Sequence, residues 1–192
     1  MVHLTVKELA RDISAGGVPL DTARARAVSY AQNGFIRIRA SGPRTVPNEF
    51  SAYDSAAAIV LSQIQDAGVA DHDTLREASR ALYEWPVKSG ERDAGLILPG
   101  EHYLPQHPIE RVIQGINRRE SWSLVINFWR DMRTGVRLVD ADLYRSDQSF
   151  IGRPDIGITA TPRGAVIVVL DEAMLPILLR VPAPGSRPDR RR

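Results

Sequence analysis

The sequence contains no cysteine, which excludes disulfides, thiolate metal sites and cysteine nucleophiles. No hydrophobic run approaches the ~18 residues of a membrane-spanning helix. The apolar stretches Ala165–Leu170 and Leu175–Leu179 are strand-sized. The N-terminus, Met1-Val-His-Leu-Thr, lacks the charged and apolar regions of a secretory leader, so a cytoplasmic protein without a membrane partner is expected. Phosphate-cradling Gly-x-x-x-x-Gly-Lys, dinucleotide-binding Gly-x-Gly-x-x-Gly and nucleophile-elbow Gly-x-Ser-x-Gly patterns are missing too.

What is present is an ordinary globular composition: 192 residues, 43% hydrophobic, 6% aromatic, 25 basic against 23 acidic side chains. That length fits one domain or two small ones. The net charge of +2 is unevenly spread. Residues 1–53 carry +3, residues 54–186 carry −4, and the last six residues carry +3. A polyanion is therefore expected to meet the N-terminal end.

The period of the apolar residues divides the chain. Val6, Leu9, Ala10 and Ile13 fall on one helical face, with Thr5 and Glu8 at capping-box spacing and Gly16-Gly17 as a stop. Val18–Asp21 reads as a tight turn with Asp21 as N-cap of a second helix, Thr22–Gln32, which Asn33-Gly34 ends. Phe35-Ile-Arg-Ile-Arg39 alternates apolar and basic residues as a half-buried strand does. After the Pro- and Gly-rich loop 40–47, Asn48–Tyr53 returns as a second strand, completing a basic hairpin with Arg44 at its tip. Asp54 and Ser55 cap a third helix, Ser55–Ala67, and Asp71–Glu84 forms a fourth, which Pro86 stops. Four prolines and three glycines mark 86–108 as a linker or extended wrap. A helix over Ile109–Arg119 precedes strand-like segments at Trp122–Trp129 and Val136–Tyr144. A hairpin is expected over Ile156–Leu170 with its turn at Pro162-Arg163-Gly164, then a short helix or strand at Asp171–Leu179. Residues 182–192 hold nothing to bury, and a disordered basic tail is expected.

Helix, tight turn, helix, basic hairpin, helix, helix is the order of a winged helix-turn-helix. Its second helix fits the ~12 Å major groove of duplex DNA. The expected fold is α+β: a winged helix-turn-helix over 1–84, a linker over 85–108, and a β-rich self-association or partner domain over 109–181.

Two short stretches carry a family resemblance. Gly17-Val-Pro-Leu-Asp-Thr-Ala-Arg24 resembles the turn and recognition helix of MerR-type regulators. Phe50-Ser-Ala-Tyr-Asp54 resembles their wing and the helix cap after it, and the helix pair over Ile59–Gly68 and Leu75–Leu82 is similar to the pair that follows. Asn48–Ile59 is also similar to the winged domain of phage small terminase subunits. The resemblance spans roughly residues 4–83, under half of the chain. It implies sequence-specific binding of duplex DNA for transcription regulation, with Thr22 and Arg24 touching phosphates or base edges. A DNA-packaging accessory is the alternative, and a protein-interaction module a third reading. The sequence departs from the regulators at Ala25-Arg26, where an aromatic pair is usual, at Asp21, usually basic, and at Ser51, usually arginine. Pro86 and Gly90 preclude the long dimerising helix of such regulators.

From side-chain chemistry, Arg26 is a candidate for a bidentate guanine contact, and Arg37, Arg39 and Arg44 for phosphates or a narrow minor groove; Ser29 and Gln32 are weaker candidates further along the second helix. Two half-sites require a homodimer, for which the C-terminal strands are the expected surface, and RNA polymerase or another protein is a further candidate partner. No catalytic residue, cofactor or metal is expected. His102 and His107, with Glu101 and Glu110, lie in a Pro-interrupted loop that no helix aligns. Asp140 and Asp142 share a strand face expected to be solvated.

Overall fold

The computed structural model describes residues 3–38, 48–85, 105–146, 150–151 and 160–178. The fold is mixed α+β, with helices first and an antiparallel sheet after them. Helices α1 (Val6–Ala15), α2 (Leu20–Gln32), α3 (Ala52–Asp66) and α4 (His72–Tyr83) come before α5 (Pro108–Asn117). Strands β1 (Trp122–Asp131) and β2 (Arg137–Arg145), the two-residue β3 (Phe150–Ile151) and β4 (Ala160–Val169) form one sheet in the order β3-β2-β1-β4. Two single-turn helices, α6 (Leu170–Ala173) and α7 (Leu175–Leu178), close the described chain.

Local chemistry accounts for most of the boundaries. Thr5 caps α1 in a full capping box: its backbone N–H donates to Glu8 Oε2 at 2.7 Å, and the Glu8 N–H donates to Thr5 Oγ1. Helix α2 ends in a Schellman motif around Gly34, whose φ of +70° suits a residue without Cβ. There the Phe35 N–H donates to the Tyr30 carbonyl and the Gly34 N–H to the Ala31 carbonyl, and the Tyr30 and Phe35 rings pack together. Helices α3 and α5 end with the same bond pattern; in α5 the left-handed position is held by Arg119 at φ 68°. The β1–β2 turn is fixed by Asp131, whose Oδ1 accepts from the N–H groups of Arg133 and Thr134.

Helix α3 is the centre of the molecule. Ten of its fifteen residues are buried, and it touches α1, α2, α4, α5, α6, α7 and β4. A helix apolar all round belongs inside a core. The buried side chains form one continuous cluster from Leu4 to Ile177, so the helical N-terminal region and the sheet share a single core. The inner sheet face contributes Trp122, Leu124, Ile126, Leu143 and Val168.

Four local expectations are corrected. Asp21 does not cap α2; the helix begins at Leu20 after Pro19, with no side-chain cap. Helix α3 is capped by Ser51 in a box with Asp54, not by Asp54 or Ser55. Asn48–Tyr53 is therefore no returning strand: its pairing is limited to isolated bridges at Glu49 and Phe50, the latter to Leu4. Pro162-Arg163-Gly164 is no turn but lies inside β4, where a bulge opposite Phe128 and Trp129 absorbs the extra residue. Proline is tolerated there because β4 is an edge strand and needs no outward donor.

Candidate nucleic-acid interface

Ala23, Ala27 and Tyr30 bury one stripe of α2 against the core. The small alanines let the helix lie close to α1, while Tyr30 reaches across to α3 and donates its hydroxyl to Gln65 Oε1 at 2.6 Å. Burial holds the Tyr30 phenol well above its ordinary pKa, despite the opposing field of Arg26. On the other side, Leu20, Asp21, Thr22, Arg24, Ala25, Val28, Ser29 and Gln32 are exposed. Arg24 has no partner among the described residues. Because Pro19 brings no side-chain cap, the first-turn N–H groups of α2 are left without an intrahelical acceptor.

Arg26 is turned the other way. Its Nη1 donates to the Ser62 carbonyl at 3.1 Å and to Ser62 Oγ at 2.6 Å, and its Nη2 pairs with Asp66 Oδ1 at 2.8 Å. It ties α2 to the C-terminal half of α3, so its donors are spent within the fold. Spacing carried a signal for this: Arg26 falls three residues after Ala23 and four before Tyr30, on the stripe that faces α3.

Arg37 is exposed, as expected, but not from a strand. Phe35 and Ile36 are both buried, and the chain from Phe35 to Ile38 has no strand pairing, which corrects the alternating-strand expectation. The chain dives inward because Phe35 packs on Tyr30 and His72 and its carbonyl accepts from Ser79 Oγ at 2.7 Å. The Arg37 guanidinium then lies over the Tyr83 ring, 5.0 Å from its centroid, with Nη1 3.5 Å from His107 Nε2. Tyr83 donates to Asp54 Oδ1 at 2.7 Å, and Asp54 Oδ2 accepts from Ser51 N and Oγ. Burial and the Asp54 charge raise the Tyr83 pKa well above its ordinary value. Arg37, Ile38, Asp54, Gln106 and His107 line a recess of about 260 Å³ at this point. Arg39 and Arg44, and with them the tip of the expected wing, lie outside the described residues. Arg26 reaches Asp66 and Arg37 sits beside Asp54, so the two cations belong to opposite ends of α3, some 18 Å apart at ~1.5 Å per residue.

A feature the sequence reading underrated lies on β2. Asp140 and Asp142 are buried rather than solvated, at 8% and 3% exposure. Burial and the neighbouring Asp140 carboxylate push the Asp142 pKa up to about 8, against the pull of Arg80 on α4. Tyr144, next on the same face, is raised by its own burial and by both carboxylates. Two like charges two strand positions apart favour a shared proton. The missed signal was the apolar run around the pair: Ala141 and Leu143 are buried as well, so this stretch of β2 is covered on both faces.

Of the histidines and acids weighed for a metal, His107 instead meets the Tyr83 carbonyl at 3.0 Å through Nδ1, and no metal-binding group of three or more occurs among the described residues. No helix among them is long and apolar enough to cross a membrane. Comparisons with protein-family models, with curated proteins and with solved structures return no match.

Proposed function

We propose that the chain binds duplex DNA through the outward face of α2, as a transcription regulator whose N-terminal part is a winged helix-turn-helix of MerR type. The observation that carries this reading is the split of α2: Ala23, Arg26, Ala27 and Tyr30 hold the helix to the core, while Thr22, Arg24, Ala25 and Ser29 lie exposed on the other side. Small residues around one unpartnered arginine allow the helix axis to approach base edges. Uncapped N–H groups at its start suit a phosphate oxygen. Arg24, not Arg26, is then the base- or phosphate-contacting arginine, and Arg37 adds backbone contact from the α3–α4 side.

One observation favours a second reading. Leu20 and Val28, at 47% and 37% exposure, lie among the same outward residues, which suits a protein groove as well as DNA. Fluorescence anisotropy of the full chain with a mixed-sequence labelled duplex separates the two. DNA binding gives an affinity that falls steeply between 50 and 200 mM salt as counterions are released, with a shallower slope in Arg24→Ala. Absence of binding at low salt, or an affinity indifferent to both salt and Arg24, rejects the DNA reading. A packaging accessory is recognised in the same preparation by its mass, as a ring of many subunits.

A further inference from the structure

The two edges of the sheet are treated differently. On one side, the two-residue β3 pairs with β2 and α4 packs on β2, with Arg137 Nη2 donating to Asp71 Oδ2 and Thr74 Oγ1, both at 3.1 Å. The opposite edge is β4, ten residues long and, among the described residues, paired only to β1. Pro162, Arg163, Gly164, Ala165, Ile167 and Val169 are all exposed. A Cβ added at Gly164 would meet nothing within 4 Å, so the sheet face is open there. An edge of this length, rich in β-branched residues and without inward-turned charge, is a template for another strand. Natural edges are usually blunted by lysine, a covering helix or short length; from Gly164 to Leu170 there is no charge at all.

We propose that β4 is the surface on which a second copy of this chain docks, edge to edge and antiparallel, about a two-fold axis. The residues bracketing the apolar tract specify the occupant. Arg163 stands at its start, and Asp171 and Glu172 at its end. Antiparallel pairing of the tract with its own copy sets Arg163 of each chain against Asp171 and Glu172 of the other, at both ends of the interface. Parallel pairing would set like charges together. A two-fold normal to the sheet also continues the exposed row of Ala165, Ile167 and Val169 into the same row of the second copy, and Leu175, 63% exposed, adds apolar surface just beyond. A two-fold contact uses the same edge on both copies, so such pairing closes at two copies, as an isologous contact does. The two four-stranded sheets become one of eight strands.

The proposal does not depend on DNA binding and is tested without it. Sedimentation equilibrium of the full chain across micromolar concentrations is expected to give a two-chain particle. Ile167→Lys, at a side chain 63% exposed, is expected to weaken association at least tenfold, with thermal melting unchanged when both proteins are diluted to monomers. Arg163→Glu is expected to weaken it several-fold, and adding Glu172→Arg to Arg163→Glu is expected to restore it. That restoration requires the partner to be a copy of the same chain. A wild-type monomer at 100 micromolar overturns the proposal, as do a ring of many subunits, a dimer indifferent to Ile167→Lys, and a charge swap without rescue.

Discussion

Helices α2 and α3 are close in length and both rich in alanine, yet the fold uses them in opposite ways. Three residues of α2 are buried, and ten of α3. In α3 the alanines let six other elements and a strand converge on one axis. In α2 they let the helix lie flat on α1 and leave the outer side bare. The same residue type therefore builds a hub in one place and a display surface in the other, and what separates them is the identity of the residues between the alanines. Those of α3 are Ile59, Val60, Leu61 and Ile64; those of α2 are Thr22, Arg24, Ser29 and Gln32. A substitution on α3 should therefore cost stability, while one on the outer face of α2 should cost only binding.

The largest effect is expected at the start of α3. Asp54 accepts from the Ser51 N–H and hydroxyl and from the Tyr83 hydroxyl while itself 2% exposed. Asp54→Ala leaves three donors without their acceptor, and a loss of about 3 kcal/mol or more is expected from urea unfolding. Gly115→Ala comes next. Its new Cβ would sit 2.4 Å from Glu120 Oε2 and from Trp122 Nε1, inside the cluster where buried Arg111 pairs with Glu120 and lies over Trp122. Overpacking there is expected to cost roughly 2 kcal/mol.

The two arginines of α2 give the sharpest version of the contrast. Arg26→Ala removes the α2–α3 tie and is expected to lower stability by about 1 kcal/mol. Arg24→Ala is expected to stay within ~0.5 kcal/mol of the parent in the same unfolding experiment. Equal losses for the two variants would mean that α2 has no separate outward role.

Asp142 provides a pH-dependent test. Its folded pKa, about 8, lies above its ordinary value of 3.8, so the folded state holds the proton more tightly than the unfolded chain. Stability from this group is full below pH ~4 and is lost as pH rises toward 8, where the buried pair must ionise. Asp142→Asn keeps a neutral side chain there. Its melting temperature relative to the parent is expected to climb between pH 5 and pH 9, by a few degrees; a constant difference across that range would contradict a shared proton. A gain rather than a loss is expected from Arg119→Gly, where a left-handed φ of 68° is relieved, of about 0.5–1 kcal/mol.

Features fixed by neighbours in sequence were legible before the structure. The Thr5–Glu8 box, the stop at Asn33-Gly34, the fourth helix with its Leu75, Ala78 and Leu82 stripe, the helix after Pro108, and the β1–β2 turn all depend on contacts a few residues apart. Features fixed by distant partners were not. Phe35-Ile-Arg-Ile-Arg39 alternates like a strand, but the Schellman motif and the Phe35 contact with His72 turn it inward. Ser51 and Asp54 have capping-box spacing just as Thr5 and Glu8 do, yet the aromatic residues around them favoured a strand reading. Asp140 and Asp142 looked solvated because nothing nearby in sequence shows that α4 packs on β2. At the candidate interface, Thr22 and Arg24 emerged on the exposed side of α2, whereas Arg26 was claimed by Ser62 and Asp66, thirty-six and forty residues away.

The most direct measurement is hydrogen–deuterium exchange of the full chain with and without a mixed-sequence duplex at low salt. Binding through the outward face of α2 should slow exchange in the peptide spanning Leu20–Gln32 and in the stretch around Arg37, and leave α3 and the sheet unchanged. Protection confined to the sheet, or an α2 that exchanges identically with and without DNA, would contradict it.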